Sequence, residues 1–142
     1  MRGAGQVTGG AGRPSYTILR VEDFGNDEPG PIPWDHLSAL AIDHYLWLTN
    51  GYEPRVEARL CWSHKYLYAR FRVGEKPAPV RYTKFQDPVY KDSCVEFFID
   101  AFPAKKLGYV NLEMNAAGAL LAAFGPDRAH REPLRPEDLA GM

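Results

Sequence analysis

The stretch VYKDSCVEFFID, Val89 to Asp100, decides how this chain is read. Its second half alternates. Val95, Phe97 and Ile99 share one face, and Glu96, Phe98 and Asp100 share the other. Alternation with period two marks a β-strand. A strand this apolar with Glu96 at its centre raises a question. The carboxylate is a solvated surface residue, a ligand contact or a catalytic group, and the neighbouring strands have to decide.

The next alternating run downstream is YVNLEMN. Val110, Leu112 and Met114 point one way, and Tyr109, Asn111, Glu113 and Asn115 the other. AAG then turns the chain into ALLAAFG. If the first two runs pair antiparallel, Glu96, Asn111, Glu113 and Asn115 share one polar, solvent-facing sheet surface, with Tyr109 beside them. Hydrogen-bonding groups on rigid strands suit a polar ligand.

Upstream, VEARLCW and YLYARFRV also alternate, around the connector SHK, and predict an antiparallel hairpin. By parity with Leu60, Trp62 falls on the core face. Between this hairpin and the opening stretch, Gly74–Pro88 reads as a long Pro-containing loop, of a length that is often functional. Ser15–Val21 is a candidate first strand, and Glu22–Pro33 a loop. Trp34–Leu40 holds a helical turn with Asp35 as its N-cap. Asn50-Gly51 marks a turn. Trp34 and Trp47 read as packing residues. Strands at this spacing, with few helical signals, imply an all-β, antiparallel β-sandwich.

Composition narrows the function. The 142 residues are 45% hydrophobic, 25% charged and 13% aromatic, enough for one domain with a core and rich in strand-forming side chains. A net charge of −1 argues against a nucleic-acid or anionic-membrane partner held by charge. No apolar run approaches the ~20 residues that span a bilayer. Residues 1–14 are Gly-rich without an apolar signal segment and read as a flexible lead, residues 15–125 as the sandwich, and residues 126–142 as a polar tail. Nothing in the chain fixes its compartment. Cys61 and Cys94 form no metal pattern and read as free thiols. The four histidines (His36, His44, His64 and His130) show no ligand spacing. No nucleophile elbow, P-loop or dinucleotide fingerprint is present.

Taken together, ARLCW…LYARFRV, PVYKDSCVEFFID and GYVNLEMNAAG resemble the family-nine carbohydrate-binding modules, over about Tyr16 to Gly125. The resemblance implies a jelly-roll β-sandwich that is non-catalytic and serves as an accessory to xylanases and other glycoside hydrolases in polysaccharide breakdown. It implies a site that grips the end of a xylan- or cellulose-type chain between two aromatic side chains. The first clamp position falls on Tyr90 and the sugar-contacting carboxylate on Glu96. The family's sugar-binding Arg falls at or near Glu113, a departure. The expected contacts are therefore Tyr90, Glu96, Asn111 and Glu113, with no cofactor required. Structural calcium also occurs in the family, and Asp92 is its candidate ligand here. The resemblance further implies strands after Gly125. The tail, with three Pro and no alternating run, is not expected to supply them. The sandwich would then be incomplete, with an uncovered strand edge open to self-association. Readings outside the resemblance are a protein-interaction or structural sandwich, and a glycoside hydrolase fragment using Glu96 and Glu113.

Overall fold

The computed structural model describes residues 15–22, 31–46, 50–76 and 79–139. Two compact units divide the chain, Met1–Glu75 and Lys76–Met142. Each holds one four-stranded sheet, and the only helical elements described are 3-10 turns. The chain is all-β, as its alternating patterns require.

In the first unit, β1 is Leu19–Arg20, β2 Leu40–Ile42, β3 Arg55–Trp62 and β4 Leu67–Gly74. The β3–β4 hairpin has the expected parity, pairing Ala58 with Phe71 and Leu60 with Ala69. Its connector is one residue longer than SHK. The Ser63 amide donates to the Tyr66 carbonyl, and Ser63 Oγ accepts from the Lys65 and Tyr66 amides. β3 is central: β2 joins it antiparallel, and β1 joins it parallel through Leu19 and Arg20. The sheet is therefore mixed, not purely antiparallel.

Two expectations are corrected in this unit. Trp62 is 41% exposed rather than core, and the Arg20 guanidinium stands over its ring at 5.6 Å. Cys61, on the opposite face, is fully buried. The turn at Trp34–His36 begins after Pro33 with no side-chain cap, so Asp35 lies inside it and not at its N-cap. Gly51 adopts φ +73°, as the Asn-Gly turn demands. Trp47 and the lead at 1–14 lie outside the described residues.

The second unit holds β5 (Cys94–Ile99), β6 (Tyr109–Asn115), β7 (Leu120–Gly125) and β8 (Glu132–Pro133), hydrogen-bonded in that order and all antiparallel. The register follows the sequence parity: Glu96 opposes Glu113, and Phe97 opposes Leu112. The tail departs from expectation. Asp127 caps a 3-10 turn at Arg128–His130, accepting the Ala129 and His130 amides. The chain then returns as β8 beside β7. A short edge strand tolerates the proline that spoiled the alternating pattern.

The long loop before β5 is tied down. Gln86 takes φ +66°, and its amide side chain donates to the Ala122 and Leu134 carbonyls and accepts from the Ala122 amide. The 3-10 turn Val89–Lys91 follows, with Val89 fully buried, and packs against β5 and β6.

Candidate functional site

One face of the second sheet carries the polar residues of β5 and β6. Its rows are Cys94 with Asn115, Glu96 with Glu113 and Leu121, and Phe98 with Asn111 and Ala123. Tyr109 sits opposite Gly125 at one end. The expectation of a uniformly solvent-facing surface is corrected here. Glu96 is exposed, but Asn111, Glu113 and Asn115 are 0%, 6% and 5% exposed. Parity shows which side chains share a face and not how far that face is covered.

The buried pair is coupled. Asn111 Nδ2 donates to Glu113 Oε1 at 2.8 Å. Glu113 Oε2 and Asn111 Oδ1 are buried and accept no hydrogen bond from the protein. Burial raises the Glu96 carboxyl above its ordinary range, and the facing Glu113 raises it further. Arg131 and Arg128 oppose the rise. The Cys94 thiol is pushed up to about 11, by burial first and then by Glu96, Glu113 and Asp92.

The two arginines come from the returning tail and were not among the residues singled out in the sequence. Arg131 lies 5.8 Å over the Tyr109 ring, and Tyr109 and Phe98 meet at 5.6 Å between ring centroids. Phe98 remains 51% exposed. Gly125 permits this approach. A Cβ there would press into the His130 carbonyl and the Arg131 Cα. The signals for it were the Gly125 position and Asp127, a capping residue just before the turn.

At the opposite end the residues hold the loop to the sheet. Asp92 Oδ2 accepts the Arg81 and Tyr82 amides at 3.0 and 3.1 Å and Asn115 Nδ2 at 3.1 Å. Burial acts to raise the Asp92 carboxyl, but these donors prevail and hold it below its usual value. Asn115 also donates to the Tyr82 carbonyl and accepts the Ala117 and Ala119 amides. Calcium takes six to eight oxygen ligands. Here N–H donors converge on Asp92 and only its Oδ1 is left over, so these residues do not fit that ion. Tyr90 lies in the Val89–Lys91 turn and is 57% exposed, with Lys91 Nζ 6.0 Å from its ring centroid.

The sequence matches carbohydrate-binding family 9 over residues 29–140. The chain belongs to that family. The match runs past Gly125 through β8, further than the resemblance read from the sequence. Among solved structures, this family-9 chain is similar to a Bacteroides uniformis protein provisionally described as carbohydrate-binding. The TM-score is 0.73 at 23% identity, over 87% of this chain and 57% of the other. The family-9 chain therefore spans little more than half the length of that structure. The likeness and the family together make the fold class an all-β sandwich. No curated protein matches the sequence.

Proposed function

We propose that this family-9 domain binds the end of a plant-type polysaccharide, of the xylan or cellulose kind, without catalysis and as an accessory to glycoside hydrolysis. The observation that carries the reading is the exposed carboxylate of Glu96, fixed by strand register and backed by the buried Asn111–Glu113 pair. In this reading Glu96 accepts hydrogen bonds from sugar hydroxyls, and Tyr90 stacks on the C–H face of a pyranose ring. Asn111 and Glu113 stand behind Glu96, since their burial leaves them little surface for ligand. Arg131 and Arg128 supply the cationic donors that position 113, a glutamate here, does not.

A catalytic reading is less well supported. A glycosidase pair needs two carboxylates free to reach the reacting bond. Glu113 is buried, and one of its oxygens is held by Asn111. Calorimetry with xylo- and cello-oligosaccharides tests the proposal. Tyr90→Ala should weaken binding more than Tyr90→Phe, because stacking needs the ring and not the hydroxyl. Absence of heat from every oligosaccharide, with the protein folded, would reject it in favour of a protein-interaction role.

A further inference from the structure

The thiol beside the two glutamates is unused by sugar binding. Cys94 Sγ and one carboxylate oxygen from each of Glu96 and Glu113 all lie within 4.8 Å of one another. Strand register fixes the three backbones, because Glu96 opposes Glu113 and Cys94 precedes Glu96 by two on the same face. Acidic side chains near each other are common, but two further features separate this group from a solvated patch. Glu113 is 6% exposed, and its Oε2 accepts nothing. Asn111, fully buried and bonded to the other Glu113 oxygen, has an Oδ1 in the same condition. A buried carboxylate oxygen without a donor is unfavourable unless a cation or a proton donor meets it.

We propose that Cys94, Glu96 and Glu113 bind a thiophilic divalent cation of the zinc type. One sulfur and two carboxylate oxygens are three ligands of a kind zinc accepts, at about 2.3 Å for sulfur and 2.0–2.2 Å for oxygen. Tetrahedral ligands at those lengths lie roughly 3.3–3.8 Å apart. Closing from the observed spacing therefore needs side-chain torsion and no movement of the strands. Calcium and magnesium demand oxygen shells and disfavour the sulfur. The fourth position is left to water or to a ligand oxygen. On binding, the Cys94 S–H bond breaks and an S–metal bond forms. The proton leaves to solvent, and nothing is oxidised or reduced. Three other charged groups bear on the cluster. Asp92 favours a cation beside Cys94, while Arg131 and Arg128 near Glu96 oppose it. The inference does not rest on sugar binding, although the two share Glu96 and Glu113.

The test uses the full chain, reduced and stripped of metal, with Co²⁺ as a spectroscopic stand-in. One equivalent should produce a thiolate-to-cobalt charge-transfer band and the visible absorption of tetrahedral cobalt, both displaced by Zn²⁺. Cys94→Ser should lose the charge-transfer band, and Cys61→Ala should keep it. A second measurement covers the case in which a variant fails to fold. In the wild type, Zn²⁺ should slow labelling of Cys94 by a small disulfide reagent by about tenfold or more, and Ca²⁺ should not. Glu113→Gln should remove most of that protection. No charge-transfer band from folded protein, a band that survives Cys94→Ser, or labelling indifferent to Zn²⁺ would overturn the site.

Discussion

Glu57 in the first sheet and Glu96 in the second are both glutamates at the middle of an alternating strand, yet their surroundings differ in sign. Glu57 lies between Arg55 and Arg59 on its own strand. Arg55 donates to one oxygen, and Arg59 Nη1 reaches the other at 3.2 Å. Those guanidinium groups hold its carboxyl below the usual range. Glu96 instead faces Glu113, and burial with that neighbour lifts its carboxyl. The Glu57 carboxylate is satisfied where it stands. The Glu96–Glu113 pair has a capacity for donors or cations that its sheet does not fill. Of the two, only the second has the character of a binding site.

The same contrast recurs within β6, where it has its largest expected effect. Asn115 uses both ends of its amide, donating to Tyr82 and Asp92 and accepting from Ala117 and Ala119. Asn111 makes one hydrogen bond and keeps an orphan oxygen. Asn115→Ala strands several buried groups and should cost on the order of 3 kcal/mol. Asn111→Ala removes its own orphan oxygen but takes the one donor from the buried Glu113 carboxylate, and should cost less, about 2 kcal/mol. Denaturant unfolding of both variants measures the difference. Equal losses would mean that satisfaction of the amide does not separate the structural end of β6 from the binding end.

Ligand affinity should divide the two glutamates next. Glu96→Gln should weaken oligosaccharide binding by about 1.5–3 kcal/mol, the range for a hydrogen bond to a charged group. Glu57→Gln should leave affinity unchanged. Calorimetry on both variants reads this directly. If wild type and Glu96→Gln bind equally, Glu96 is outside the site.

How much of this was legible in the sequence follows from what alternation encodes. Period two gave the β3–β4 hairpin and the pairing of Glu96 with Glu113, because a slip of one residue inverts every side chain. It could not report coverage. Trp62, on the face of Leu60, is exposed, and Asn111, on a polar face, is buried. Those outcomes depend on groups far away in sequence. The tail was the least legible part. Its return beside β7 rests on Gly125, the Asp127 cap and a two-residue strand containing Pro133, none of which produces a periodic signal. Gln86 was equally silent, since a left-handed residue whose side chain bridges two carbonyls looks in sequence like any loop glutamine.

The smallest effect, and the one that tests the comparison most directly, is the pH dependence of stability. A carboxyl lowered on folding stabilises the protein above its unfolded pKa, about 4.3 for Glu, and that contribution is lost as pH falls through the folded value. Glu57 is of this kind. Glu57→Gln should therefore melt below wild type at neutral pH, with the gap closing in acid. A carboxyl raised on folding works in reverse. The folded state binds the proton more readily than the unfolded chain, so stability falls as pH rises through the window between the two values. Glu96 is of this second kind. Glu96→Gln should melt above wild type at neutral pH, and that gap too should close in acid. Both shifts will be modest, because solvent screens partly exposed groups. Thermal melts of the three proteins from neutral to acid pH, with a chelator present to keep metal away from Cys94, read the signs. Gaps of the same sign for the two variants would show that burial and the facing Glu113 do not raise the Glu96 carboxyl on folding, and the difference between the two sheets would lose its electrostatic basis.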